Sequence, residues 1–249
     1  MPESTMRPKN PAALTRAIIL AAGRGERMRP LTDTLPKPLL EVGGKPLIVW
    51  QILRLRAAGI TELVINTAWL AHTIESALGN GQSLGVNIQY SIEPVTAYET
   101  GGGIATALDL LGAAPFVAVS ADIHTDFDYS RLHEPARVIA SNPQQTCAHF
   151  VLVDNPPHHA AGDMALQDQR VRRQGSLLNY GNIAVFHPAL FADQPRATQW
   201  RLFPWAYRFV EDNRVSGEHF RGAWDNIGTP EQLHAVDARL RAGLSTRTN

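Results

Sequence analysis

Residues 16–38 run RAIILAAGRGERMRPLTDTLPKP. After Arg16 come six apolar residues ended by Gly23, the pattern of a strand covered on both faces. A glycine turn directly after such a strand sits where open parallel sheets place their ligands, outside the carboxyl ends of the strands. Gly23 and Gly25 leave backbone N–H groups open to close approach by an anion. Two phosphate cradles are excluded at once. A dinucleotide fingerprint needs glycine where Met28 stands, and a P-loop needs Gly-Lys-Ser/Thr where the chain has Met28-Arg29-Pro30. What remains is a glycine turn followed by Arg24, Arg27 and Arg29, then Lys37 held between Pro36 and Pro38. Guanidinium forks match phosphate oxygens in pairs, and a lysine on a stiff segment serves as a point charge.

Outward from this stretch, residues 46–58 place Ile48, Ile52 and Leu55 at i, i+4 and i+7, with Pro46 near the start and Gly59 past the end. That spacing predicts a helix. Strands are expected at 62–66, 86–90 and 116–120, and helices at 70–78 and 102–111. Strand and helix alternate four times in the first half, which predicts an α/β fold with a parallel sheet and helices on both faces. The second half is less regular. Strands are expected at 146–153 and 182–186, separated by a loop carrying Pro156, Pro157, His158 and His159. Thr229-Pro230-Glu231-Gln232 predicts a helix start, with Thr229 as cap and Gln232 closing a capping box. Leu233, Val236 and Leu240 would form its buried stripe. Residues 1–13 hold three prolines and read as a flexible tail. No repeat or linker divides the remainder, so 14–249 is expected to be a single domain.

The chain has 249 residues with 23 basic and 23 acidic side chains, a net charge of zero. That balance argues against nucleic-acid or anionic-membrane binding by bulk charge. Hydrophobic residues at 44% and charged residues at 18% exclude a disordered chain. The single cysteine, Cys147, excludes an intrachain disulfide and argues against a thiolate metal site. The longest apolar runs are too short to cross a bilayer, and the first fifteen residues lack the apolar segment of a secretion signal. A cytoplasmic protein, monomeric or homodimeric, is expected.

The loops at Gly23, 93–103 and 121–128 all follow expected strands and should meet on one rim. Asp122 ends the strand 116–120, where a carboxylate facing phosphates suits Mg²⁺; a turn aspartate is the plainer alternative. Asp126 and Asp128 read as turn residues, and Phe127 stands where a calcium loop would need glycine. Gly101 to Gly103 either lay backbone against a flat ring or form a flexible connection. His158 and His159 have no partners at metal spacing and read as solvated, and His124 reads as a surface residue.

The pattern L-A-A-G-x-G-x-R-M-x-P-L-T followed by P-K-P resembles the signature of the sugar-1-phosphate nucleotidylyltransferases. The likeness extends to Thr229-Pro230 and covers roughly residues 16–242. It implies a Rossmann-like nucleotidyltransferase fold with a mixed, mostly parallel sheet flanked by helices. It also implies a nucleotide-binding half near 14–128 and a sugar-binding half near 129–242. The implied reaction converts a nucleoside triphosphate and a sugar 1-phosphate into a nucleotide sugar and pyrophosphate, with Mg²⁺. By the same resemblance Arg27 holds the departing phosphates and Lys37 bridges the α-phosphate and the sugar phosphate. Ala22, Gly23 and Gly25 wrap the nucleotide, and Glu93 and Gly102 read the base. Thr100, Gly162, Asp163 and Asn182 contact the sugar phosphate. The Glu-Thr-Gly-Gly-Gly block at 99–103 is similar to that of uridylyltransferases acting on N-acetylmuramate 1-phosphate in cell-wall recycling, which favours UTP. Related blocks in mannose- and heptose-phosphate guanylyltransferases keep GTP as an alternative, and a catalytically silent relative is another.

The chain departs from this family at one place. Relatives usually carry aspartate before an (Ile/Val)-Gly-Thr triplet as a second metal ligand, but here Asn226 holds that position, after Asp225. Asparagine offers a neutral carbonyl oxygen, and in an extended segment Asp225 points to the opposite face. Asn226 is therefore expected at the metal with Asp122, and Asp225 is the alternative.

Overall fold

The apolar run after Arg16 forms β1 (Arg16–Leu20), whose central Ala17, Ile18 and Ile19 are fully buried. The computed structural model describes residues 14–245, so the expected tail over 1–13 lies outside the described residues. Further strands are β2 (Glu41–Val42), β3 (Lys45–Pro46), β4 (Glu62–Thr67), β5 (Asn87–Ile92), β6 (Phe116–Ser120) and β7 (Ile123–Thr125). The second half adds β8 (Ala148–Val153), β9 (Met164–Gln167), β10 (Arg170–Arg172), β11 (Leu177–Phe186), β12 (Val215–Phe220) and β13 (Trp224–Asn226). Nine of them make one sheet in the order β5-β4-β1-β6-β11-β8-β12-β10-β9. β5, β4, β1 and β6 are parallel neighbours, in register at Ile19↔Ile65 and Ile19↔Val119. Only β11 and β10 run against the other seven. The mixed, mostly parallel sheet expected from the sequence is the one observed.

Alternate residues of β1 enter different cores, as the period of two requires. Ala17 and Ile19 pack under α1 (Leu47–Ala57) and α2 (Ala71–Leu78). Ile18 packs under α3 (Glu99–Thr106) and α4 (Leu108–Leu111). α5 (His133–Ser141) joins the first face, and α6 (Leu202–Trp205) and α7 (Tyr207–Glu211) join the second. α8 (Pro230–Ser245) lays Leu233, Val236 and Leu240 against Met28 and Val42. Its start has the expected capping box. Gln232 Oε1 accepts from the backbone N–H of Gly228 at 2.7 Å and of Thr229 at 3.1 Å, and Thr229 Oγ1 accepts from Gln232 N at 3.4 Å.

Two departures matter for the site. β9, β10 and β12 are not apparent in the sequence, because β9 and β10 are short and β12 carries Gly217, Glu218 and His219 in place of an apolar pattern. β12 is held instead by parallel pairing along all six of its residues with the buried β8. The glycine triplet is likewise neither a flexible connection nor a surface for a ring. It lies inside α3, and all three glycines are buried. A Cβ on Gly101 would fall on the Trp200 ring, and one on Gly102 on the Thr198 carbonyl oxygen. One on Gly103 would come within 2.7 Å of Asn66 Nδ2 and 2.8 Å of Glu93 Oε1. Each glycine costs a helix about 1 kcal/mol relative to alanine. Here that cost admits a segment from the far half of the chain against α3.

Gly102→Ala should lower unfolding stability by about 1–3 kcal/mol, because the obstructing atom is backbone and cannot rotate away. Gly23→Ala, with nothing within 4 Å of the added carbon, should stay within about 0.5 kcal/mol of wild type. Urea unfolding of both variants checks this; equal midpoints would contradict the packing account.

Candidate active site

The carboxyl ends of β1, β4, β5 and β6 open onto a cavity of about 330 Å³ lined by Ala22, Gly23, Lys37, Asn66, Thr100 and Asp122, among others. A neighbouring cavity of about 250 Å³ shares Gly23, Lys37 and Asp122 with it and adds Gly25, Arg27 and Gly228. A third, of about 340 Å³, shares Arg27 and is walled by Asp163, Tyr180, Asn182 and Asn226. A fourth, of about 220 Å³, joins Thr100 and Ser120 of the first to Tyr180 and Asn182 of the third. The shared walls make one branched cleft, and the loops expected to meet on one rim do so.

Short turns aim the basic groups. Gly25 takes the left-handed conformation (φ 69°) and starts a 3-10 turn over Glu26–Met28, in which buried Met28 is the anchor and Arg27 faces the cleft. The other two arginines are occupied inside the loop. Arg24 donates to the Thr32 carbonyl at 2.7 Å and to Asp33 at 3.2 Å and stacks 3.7 Å over the Trp69 ring, while Arg29 donates to Asp33 at 2.7 Å. Lys37 opens another 3-10 turn behind Pro36. Its Nζ donates to Asp122 Oδ2 at 2.6 Å, with the side chains 11% and 31% exposed. The expected phosphate lysine and the expected metal aspartate thus meet directly.

Behind these groups runs a buried polar relay. Ala21 N donates to Asn66 Oδ1 at 2.8 Å, and Asn66 Nδ2 donates to Glu93 Oε1 at 2.7 Å. Glu93 Oε2 accepts from Tyr98 N at 2.6 Å. The relay ties the loops after β1 and β5 together through the carboxyl end of β4. Burial pushes the Glu93 carboxyl above its ordinary range, against the opposing effect of its two donors. The expectation that Glu93 and Gly102 touch the base is corrected on this ground. Both Glu93 oxygens are bonded within the protein, and the Gly101 and Gly102 N–H groups both donate to the Trp200 carbonyl at 3.1 Å. Asn66, which lines the main cavity, escaped the sequence reading; the signal was a lone amide at the end of an apolar strand.

At the other end of the cleft, Asp163 accepts from Tyr180 N at 2.8 Å and lies 2.9 Å from His159 Nε2. Asn182 has φ 56° where the pairing of β11 with β8 shifts register, and it lines two of the cavities. Gly162 supplies the left-handed turn before Asp163 and packs against Leu177 and Asn155, so it positions Asp163 rather than lining the cleft. His159 is engaged with Asp163 rather than simply solvated, and the side chain of His158 lies outside the described residues. His124 is not at the surface. It is buried with its ring edge-on to Trp50 at 5.4 Å, and burial lowers its pKa.

Asp225 and Asn226 part as strand geometry requires. Asp225 accepts from Arg239 of α8 through both carboxylate oxygens, at 3.2 Å on Oδ1, while Asn226 lines the cleft with Arg27 and Asn182. β13 pairs with β7 so that Asn226 opposes Ile123, and Ile227 N donates to the Asp122 carbonyl at 2.9 Å. Among the described residues no group of three or more His, Cys, Asp or Glu gathers for a metal. Asp122 and Asn226 line adjoining cavities that share Arg27, and a carboxylate with an amide oxygen is a donor set compatible with Mg²⁺, which takes few protein ligands and leaves the rest to phosphate oxygens and water.

A glycine turn, one aimed arginine, a lysine and an aspartate in a common cleft suit the alignment of two phosphates and the neutralisation of charge between them. The fold and site define an enzyme of nucleotidyl transfer. The chain belongs to the nucleotidyl transferase family, whose family model matches residues 16–173, and within it to the sugar-1-phosphate nucleotidyltransferases. It is 47% identical over 227 residues to the N-acetylmuramate alpha-1-phosphate uridylyltransferase of Neisseria meningitidis, covering 90% of this chain and 97% of that protein. The protein of the same name from Caulobacter vibrioides is 34% identical, with 90% and 96% covered. Among solved structures, a Bacillus anthracis protein in complex with a sucrose aligns over 91% of this chain and 95% of its own at TM-score 0.78 and 21% identity. HddC from Yersinia pseudotuberculosis complexed with GMP-PN aligns over 91% and 99% at TM-score 0.72 and 19% identity. These two share the fold.

Proposed function

We propose that the chain transfers the uridylyl group of UTP to N-acetylmuramate 1-phosphate, forming UDP-N-acetylmuramate and pyrophosphate, in the cytoplasm as a step of cell-wall recycling. The observation that carries this choice of substrates is the 47% identity to the Neisseria uridylyltransferase over nearly its whole length. The mannose-1-phosphate guanyltransferase of Hypocrea jecorina is 29% identical, and this chain spans 62% of it.

A phosphate oxygen of the sugar phosphate attacks the α-phosphorus of UTP, the bond to the bridging α–β oxygen breaks, and pyrophosphate leaves. The attacking oxygen is already charged at neutral pH, so the site needs no general base. Catalysis becomes alignment and charge neutralisation. Arg27 holds the departing phosphates, and Lys37 exchanges Asp122 for the α-phosphate and the incoming sugar phosphate. The backbone of 22–25 wraps the nucleotide, within a nucleotide-binding half over 14–128. Thr100, Asp163 and Asn182 line the sugar end, the last two from a sugar-binding half over 129–242. Members of this family are usually Mg²⁺-dependent. Asp122 and Asn226 are the residues that would hold Mg²⁺ here, where its charge would offset that of the phosphates.

Pyrophosphate release measured across UTP, GTP, dTTP and CTP with N-acetylmuramate 1-phosphate and mannose 1-phosphate tests the reading. The highest kcat/KM should belong to UTP with N-acetylmuramate 1-phosphate. A higher value for GTP with mannose 1-phosphate would make the chain a guanylyltransferase, and no release with any pair would mark a silent relative.

With one carboxylate ligand, Mg²⁺ binding should lean on the phosphates of the nucleotide. Asn226→Asp should lower the half-saturating Mg²⁺ concentration several-fold, while Asp225→Asn should leave it near wild type and loosen only the Arg239 contact. The converse pattern would place the metal on Asp225.

A further inference from the structure

N-acetylmuramate 1-phosphate carries a second anion besides its phosphate: the carboxylate of the lactyl ether on the sugar ring. A carboxylate drawn into a cleft needs a cation or several donors there. The basic side chains that line the branched cleft divide cleanly. Arg24 is held by Thr32, Asp33 and Trp69, Lys37 stands at the phosphate end, and Arg27, which borders both the phosphate end and the cavity of Asn182, is assigned above to the departing phosphates. His159 is paired with Asp163. Arg201 is left, on the wall of the cavity of about 220 Å³ that it shares with Thr100, Tyr180, Asn182 and Phe203.

Arg201 suits the task in its own geometry. Its charged neighbour on that wall is Glu99, with Nε 3.8 Å from Oε1, beyond hydrogen-bond reach, and the side chains are 78% and 40% exposed. So loose and exposed a pair adds little stability and can be exchanged for a ligand. The backbone beneath it is fixed. Neighbouring Trp200 accepts from Gly101 N and Gly102 N and donates to the Tyr98 carbonyl at 3.1 Å, and Phe203 packs on Tyr180 with ring centroids 5.3 Å apart. A fixed backbone carrying an open guanidinium fork is suited to two-point contact with a carboxylate.

We propose that Arg201 is a specificity-determining residue that binds the carboxylate of an acidic sugar substituent, with Asn182, Tyr180 and Phe203 forming the rest of the subsite. The inference rests on the N-acetylmuramate reading above. It assigns the 196–203 segment two roles: its backbone braces α3 from behind, and its arginine selects the sugar in front. The glycine triplet serves both, since a side chain at 101 or 102 would displace the segment.

The test is kcat/KM with saturating UTP for N-acetylmuramate 1-phosphate and for N-acetylglucosamine 1-phosphate, which lacks the lactyl carboxylate, in wild type, Arg201→Ala and Arg201→Lys. The wild type should prefer the acidic sugar. In Arg201→Ala that preference should fall roughly ten- to hundredfold, the range for losing a charge-assisted contact, through a raised KM for the acidic sugar. Arg201→Lys should fall between, since it keeps the charge and loses the fork. A wild type that prefers the acidic sugar beside an Arg201→Ala with the same preference would overturn the role of Arg201 alone. A wild type with no such preference would overturn this role and the N-acetylmuramate reading together.

Discussion

The contact between Lys37 Nζ and Asp122 Oδ2, at 2.6 Å, joins the two segments on which the cleft depends. One is the proline-flanked turn that follows the glycine loop, and the other is the carboxyl end of β6. Both groups must be charged to handle phosphates, yet a cleft that gathers charge of one sign is costly to hold ready. Pairing them leaves neither charge uncompensated, with Lys37 nearly buried and Asp122 still partly open to solvent. On the proposed function, Lys37 turns to the phosphates that enter and Asp122 to the Mg²⁺ it would hold, so the resting pair need not resist the chemistry.

The scaffold behind that pair is built from polar atoms that have no water to fall back on. The relay from Ala21 through Asn66 and Glu93 to Tyr98 fixes the loops after β1 and β5 to the end of β4 between them. The carbonyl of Trp200 takes two amide donors from the first turn of α3. Helix starts commonly offer such donors to anions, so their capture turns the glycine helix from a ligand contact into a wall. The sheet supplies the rigidity, since β1, β4 and β6 carry buried apolar residues on both faces.

The parts of this design that were legible in the sequence are those decided by neighbours along the chain. The strand, glycine turn and proline-flanked Lys37 lie within 23 residues, and the capping box of α8 within four. Alternation along β13 was enough to turn Asn226 to the cleft and Asp225 to Arg239. The parts that were not legible depend on segments far apart in sequence. Glu93 looked like a base contact until Asn66 and Tyr98 closed around it, and Gly102 until residues 196–203 lay on it. His124 is buried by Trp50 of α1, which no local pattern links to it. Arg201 carries no motif. It matters through the wall it shares with Asn182.

The central claim is that Lys37 is held by Asp122 at rest and acts on phosphate charge during turnover. The most direct measurement is single-turnover pyrophosphate release by Lys37→Ala with saturating UTP and N-acetylmuramate 1-phosphate, beside its urea unfolding midpoint. The account predicts a rate lower by roughly a hundredfold or more, the scale of losing one transition-state donor, in a chain that still unfolds cooperatively near the wild-type midpoint. A folded Lys37→Ala that releases pyrophosphate at the wild-type rate would contradict it.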